Sequence, residues 1–301
     1  IRDRGWTYDQ GLAAIAFTVG GDTHTAKKIL NGMKIKQNSD GSWYRCYDTS
    51  DGSVVNTDKM AGHNAWMVQA CNIYRSRTGQ TDFDDMAERC LDYLKSYQDT
   101  NASNKTYGGI KMIGGGNPEV VATENNISLY PAFYYRYLIN GSTGYLTSAN
   151  LIKDYLLNEI WNDTGKYFWA GYNEYGANPT LDETVYLDNQ SWGNLCFADH
   201  NGHGPGGENL AGALTYAYDN IRITDTYVNG DVTVTDIQGF DEYDKATLDR
   251  IWFEGTNSMV AAYYWVCSTD TADSFHYQST RAKDASTTTA VSYTHLTLPT
   301  N

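Results

Sequence analysis

The sequence predicts an all-α protein built from repeated helical hairpins, and three observations lead there. An acidic or polar pair opens an apolar helix five times: Asp9-Gln10, His63-Asn64, Glu124-Asn125, Asp188-Asn189 and Glu254-Gly255, at intervals of 54, 61, 64 and 66 residues. Each apolar helix is followed by a turn and a second, mostly amphipathic helix. Long loops rich in Gly, Asn and aromatic residues separate the hairpins. A period of about 60 residues made of helix, turn, helix and loop indicates stacked or ringed αα-hairpins.

The elements follow in order. Residues 9–20 read as a short helix, apolar nearly all round and so buried on most sides. Gly20-Gly21-Asp22 ends it, and an amphipathic helix runs from His24 to Met33. Asn64 to Arg77 and Phe83 to Tyr97 form the second hairpin, Asn126 to about Leu138 and Leu146 to Trp161 the third. The fourth runs from Asp188 to about His200 and from Asn209 to Asp219. Its loop reads as a β-hairpin, 221–224 with 232–235 around Asn229-Gly230. A fifth inner helix opens at Trp252 and a weaker partner spans Thr271 to Lys283. Beyond Ala285 periodicity is lost, so one domain is expected over 1–285, with 286–301 an unstructured or artefactual tail.

Composition narrows the function classes. The 301 residues are 41% hydrophobic and 19% charged, enough for a sizeable core, without the apolar run of roughly 20 residues that a membrane span needs. A net charge of -14 excludes nucleic acid as partner and disfavours acidic polymers. Cys46, Cys71, Cys90, Cys196 and Cys267 are odd in number and lack CxxC or Cys/His metal spacing, so no metal or cofactor is expected. Aromatic residues are 14% of the chain, with 25 Tyr and 8 Trp against 8 Phe. Tyr and Trp pair a flat apolar face with a polar handle, which suits ring-shaped amphipathic ligands such as sugars. Asp48-Thr49-Ser50-Asp51-Gly52 misses the EF-hand spacing and reads as a solvated turn.

An apolar inner helix paired with an amphipathic outer one, repeated every 60 residues or so from residue 5 to about 283, resembles the (α/α)6 toroid of the six-hairpin glycosidase superfamily. Five hairpins are visible where a closed ring has six, so a fragment is expected. The resemblance implies that the inner-helix rim binds oligosaccharides, and that a carboxylate pair cleaves the glycosidic bond, often with inversion. The leading reading is a secreted or periplasmic glycoside hydrolase acting on a neutral, glucan-like carbohydrate, expected as a monomer.

Glycoside hydrolysis needs one protonated carboxyl and one carboxylate. The candidates are Asp9, Glu124, Asp188 and Glu254, each also readable as a first-turn acid favoured by the helix dipole. Glu254 follows Trp252-Phe253, the most apolar context, and is the expected general acid. Asp188 or Glu124 is the expected base, and Asp9 either orients a sugar hydroxyl or shares the proton. Trp6, Tyr8, Trp43, Tyr44, Trp169, Trp192 and Trp252 are candidate stacking platforms, and His63, Asn64, Asn125, Asn126 and Gln190 candidate sugar hydrogen-bonding groups. Two other classes fit the pattern less well. A polysaccharide lyase needs cations, and only Arg4, Arg45 and Lys111 are near. A non-catalytic sugar-binding repeat needs no carboxyl pair.

Overall fold

The computed structural model describes residues 3–229, 232–245 and 247–266. The chain divides into two compact units. The first holds Ile1–Glu159 and Gly171–Asp182, the second Ile160–Ala170 and Glu183–Asn301.

In the first unit, strand β1 (Arg4–Trp6) runs directly into helix α1 (Thr7–Val19), and α2 (Thr23–Lys36) returns. The Asp22 carboxylate caps α2 by accepting the Thr25 N–H at 3.0 Å. Strands β2 (Cys46–Asp48) and β3 (Val54–Asn56) pair with β1 in an antiparallel sheet of order β1-β2-β3. Next come α3 (Ala61–Thr78), α4 (Asp84–Lys95), β4 (Val121–Ala122), α5 (Thr123–Asn140) and α6 (Thr143–Tyr155). Gly79 and Gly141, at φ of 72° and 74°, end α3 and α5 in the left-handed region that glycine adopts without strain.

Helices α1, α3 and α5 are the inner set, and they run parallel. Gly11 lies on the backbone of Trp66 and Met67, and a Cβ there would sit 3.0 Å from the Trp66 carbonyl. Gly62 lies on Asn125. Further along, Gln69 donates to the Ser128 carbonyl at 2.8 Å and Asn72 to that of Ala132 at 3.0 Å. Contact positions rise together on both chains, so the three helices start at one end. The close approach explains a departure from the sequence reading of α1. Its buried residues are the small or polar Thr7, Gly11, Ala14 and Thr18, while Phe17 and Val19 are exposed. The Arg136 guanidinium, fully buried, joins α5 to α4 through Asp84 at 2.9 Å and Glu88 at 3.0 Å.

The helix expected to reach Trp161 leaves α geometry at Tyr155 and finishes as a π turn, Leu156–Ile160. Strands β7 (Gly171–Tyr172) and β8 (Leu181–Asp182) complete the first unit by joining β4.

The second unit holds a short ladder of β5 (Trp161–Asn162) with β6 (Tyr167–Phe168), then α7 (Leu187–Phe197) and α8 (Ala211–Asn220). Its β-hairpin is longer than expected, β9 (Arg222–Asn229) with β10 (Val232–Phe240), irregular between Val234 and Ile237. Inner helix α9 (Phe253–Val266) follows. Helices α7 and α9 are also parallel: Leu187 lies against Gly255, and Ser191 Oγ is 2.8 Å from Ser258 Oγ. The expected partner helix at 271–283, Cys267 and the 286–301 tail lie outside the described residues.

Candidate active site

One device recurs at the start of α3, α5, α7 and α9. The residue before the helix makes no side-chain cap bond in α3, α5 and α7, and it is extended before α5 and α7. The fourth helical residue instead grips the loop that precedes the helix. Asn64 accepts the Trp43 N–H at 2.7 Å and donates to the carbonyls of Trp43 and Met60. Asn126 accepts from Ile110 N at 2.8 Å and donates to Ile110 and Ala122. Gln190 accepts from Phe168 N at 2.8 Å and donates to Phe168 and Tyr186. Thr256 Oγ1 accepts from Phe240 N at 3.0 Å. Buried backbone groups need such partners, and these side chains supply them.

This corrects the sugar-binding expectation for Asn64, Asn126 and Gln190. They are buried, and their amides hold backbone. Trp43 is corrected as well: it is fully buried and donates its indole N–H to the Met33 carbonyl at 2.7 Å. The Asp48–Gly52 segment is a pair of turns in which Asp48 and Asp51 accept from Ser50 and Ser53.

The grip also sets a common frame. Glu124, Asp188 and Glu254 are each the second residue of their helix, whereas Asp9 and His63 are the third. The five pairs that look equivalent in sequence are therefore offset by one residue, about 100° around a helix of 3.6 residues per turn.

In the first unit, half-buried Tyr8 stands 5.8 Å from the His63 ring and 5.7 Å, edge-on, from Trp66. The Arg45 guanidinium lies over Trp6 at 5.3 Å and is 3.9 Å from the Asp58 carboxylate. Burial, helped by the Arg45 charge, pushes the His63 pKa down to about 4, so the imidazole is neutral above that pH. Asp9 is exposed and Glu124 half-buried in this rim. Tyr44 is half-buried under Lys59, whose ammonium is 5.6 Å from the ring.

In the second unit, Asp188 accepts the Asn189 N–H at 2.8 Å. The Trp252 ring lies against Gly255. Glu254 and Phe253 are exposed, so the apolar enclosure expected around Glu254 is absent. Asn189 reaches the Trp169 carbonyl at 3.4 Å, and Trp169 packs edge-on to Tyr167 at 4.7 Å. Trp192 is half-buried. Sequence reasoning passed over Arg45 as a binding group and missed Tyr186, which is 39% exposed and 5.5 Å from Tyr243. Its place two residues before Asp188 was the available signal.

Among the described residues, Arg45 Nε, His63 Nδ1, Asn125 Nδ2, Ser128 Oγ, Asn189 Oδ1 and Asn194 Oδ1 are buried without a protein partner. All but Arg45 and Asn194 lie in the first two turns of an inner helix; Asn194 is one residue further along α7, and Arg45 lies in the loop ahead of β2. Unpaired buried polar atoms are uncommon and call for a reason. A cavity of about 620 Å³ lies at the other end of the first unit's inner helices, lined by Val19, Ile73, Arg75, Arg77, Tyr135 and Leu138 among others. No carboxylate lines it, so it lacks acid–base chemistry. Among the described residues no group of three His, Cys, Asp or Glu is placed to hold a metal, and no helix is long and apolar enough to cross a membrane.

No protein-family model and no curated protein sequence matches the chain. Solved structures do. The chain is similar to a sugar epimerase from a ruminal bacterium, with TM-score 0.67 and 13% identity over 94% of this chain and 75% of that one. It is similar to the GH76A alpha-1,6-mannanase from a Salegentibacter species, with TM-score 0.59 and 14% identity over 96% and 78%. Endoglucanase Cel10, a family 8 glycosyl hydrolase from Klebsiella pneumoniae, gives 0.61 and 11% over 94% and 92%. At these identities the likeness is one of fold. The chain shares the (α/α)6-type toroid fold of these structures.

Proposed function

We propose that the chain is a glycoside hydrolase that cleaves a neutral, glucan-like oligo- or polysaccharide with inversion. Glu254 is the general acid and Asp188 the general base. One observation carries the assignment. The two carboxylates occupy the same position of neighbouring parallel helices, one turn above the 2.8 Å contact between Ser191 and Ser258. Packed helices lie about 8–10 Å apart, and an inverting pair needs about 6.5–9.5 Å to admit water. Asp188 is held in place by the Asn189 N–H, which donates to its carboxylate at 2.8 Å. In the reaction Asp188 takes a proton from water as its oxygen bonds to the anomeric carbon. The bond to the leaving oxygen breaks as Glu254 protonates it.

Within the first unit, taken by itself, Asp9 and Glu124 are hydroxyl-orienting groups and Trp6 and Tyr8 ring faces for sugar. The acidic rim disfavours uronate polymers, which supports a neutral substrate. We further propose a secreted or periplasmic monomer. The fold is shared by epimerases and hydrolases, so the assay must separate reactions. Neutral glucans, mannans and uronic polymers are incubated with the protein while reducing ends, unsaturated product and epimerised monosaccharide are followed together. New reducing ends of inverted anomeric form from a neutral polymer support the proposal. Unsaturated product identifies a lyase, epimerised sugar an epimerase, and binding without product a non-catalytic module. Glu254→Gln should lower kcat by about 10²–10⁴-fold.

A further inference from the structure

Three groups without a hydrogen-bond partner in the first unit come from three elements: the loop ahead of β2, the start of α3 and the start of α5. Gly62 has no side chain, and a Cβ there would collide with the Asn125 side chain, which is 3% exposed. His63 is the next residue. Arg45 lies in the loop ahead of β2: its carbonyl accepts the Thr7 N–H at 3.1 Å, its guanidinium lies over Trp6, and its charge acts on the His63 ring. The rings of Trp6 and Tyr8 flank the group, Tyr8 at 5.8 Å from His63. The proposed acid and base use none of these residues.

We infer that Arg45, His63 and Asn125 form a hydroxyl-reading clamp for one uncharged pyranose ring, with Arg45 the residue that determines specificity. The inference deepens the carbohydrate reading of this rim and rests on it. The chemistry favours a hydroxyl over a carboxylate. Arg45 Nε and Asn125 Nδ2 are N–H donors, and His63 is a neutral imidazole that can accept or donate. A hydroxyl can meet both kinds of group at once, while a carboxylate can only accept. The Arg45 charge already has Asp58 at 3.9 Å. Asp9 and Glu124, in the first turns of α1 and α5, add negative charge to the unit's helix starts, which disfavours a carboxylate ligand. Leaving buried donors unpaired when the hydroxyl is missing is what makes such sites selective.

Calorimetry on the full chain tests this with glucose, mannose and galacturonate tetrasaccharides, using the wild type and Arg45→Lys. Lysine keeps the charge but removes the guanidinium Nε–H. A neutral tetrasaccharide should bind at least tenfold more tightly than the galacturonate, and Arg45→Lys should weaken it about tenfold without shifting the urea midpoint. Monodeoxy derivatives of that neutral tetrasaccharide give the sharper readout. One deoxy position should lose about tenfold in the wild type and nothing further in Arg45→Lys. Tightest binding of the galacturonate, or equal deoxy penalties in both proteins, overturns the clamp. The clamp and the hydrolase reading fail separately. Neutral binding with the deoxy pattern but no cleavage keeps the clamp and removes the hydrolase. Cleavage of a neutral glucan with KM unchanged in Arg45→Lys does the reverse.

Discussion

Asn125 and Asn126 are adjacent, identical and both buried, yet the structure gives them opposite work. Asn126 makes three hydrogen bonds, of 2.8, 3.0 and 2.9 Å, to Ile110 and Ala122. Each contributes about 1 kcal/mol net, and truncation also leaves the Ile110 N–H and carbonyl buried without that partner, at about 1–3 kcal/mol each. Overlap between these costs puts Asn126→Ala at about 3–5 kcal/mol of destabilisation, a large share of the roughly 5–15 kcal/mol available to a folded domain. Asn125 Nδ2 has no protein partner. Asn125→Ala removes a desolvated, unpaired amide and opens a small cavity, two opposing effects that should leave stability within about 1 kcal/mol. Urea unfolding of both variants, with hydrogen exchange at the Ile110 amide, measures the difference. Ile110 should lose protection in Asn126→Ala alone, and binding of the neutral tetrasaccharide should fall in Asn125→Ala. Equal loss of stability in the two variants would refute the division and show that the Asn125 amide is structural.

Three further outcomes follow from the same contacts. His63 has a folded pKa near 4 against roughly 6.5 unfolded. Between those values the unfolded chain binds a proton that the folded one excludes, so His63 should reduce stability by about 3 kcal/mol as pH falls from about 6.5 to 4. Arg45, with Asp58 behind it, is the charged group acting on this imidazole, and Tyr8 and Trp66 present neutral rings to it. A flatter stability curve in His63→Phe, measured against wild type across pH 4–7, checks the sign. Arg136→Met leaves the Asp84 and Glu88 carboxylates without their buried cation and should cost about 3–5 kcal/mol in thermal unfolding. Trp43→Phe loses the indole bond to Met33 and should cost about 1–2 kcal/mol while sugar affinity stays unchanged. Weaker sugar binding would return Trp43 to the site.

The helical hairpins were legible because hydrophobic periodicity and turn residues are local. Gly79 and Gly141 stop α3 and α5 where the pattern says they should. The exposure of Phe17 and Val19 was not legible. Which face of an apolar helix is buried depends on Gly11 meeting the Trp66 backbone, a contact 55 residues away in the chain. The same limit applies to the polar helix starts. Asn64, Asn126 and Gln190 look like ligand-binding amides in sequence, and only the loops they hold, 16 to 22 residues earlier, reveal them as structural.

That grip has a consequence for assigning chemistry on this fold. An acid at the start of an inner helix cannot be matched to another by its distance from the apolar run, because one residue turns a side chain by about 100°. The gripping residue supplies the reference, since it must point at the preceding loop. Counted from it, Glu124, Asp188 and Glu254 stand two residues before Asn126, Gln190 and Thr256, while His63 stands one before Asn64. The three equivalent acids face one way around their helices, and His63 occupies the position of Asn125 and Asn189, both of which hold a buried atom without a protein partner. One structural constraint therefore sets two kinds of helix position: carboxylates two residues before the grip, and neutral hydrogen-bonding groups one residue before it. On the proposed reading, the first position carries proton transfer at an anomeric carbon and the second reads hydroxyls, so substitutions at the two are expected to act separately.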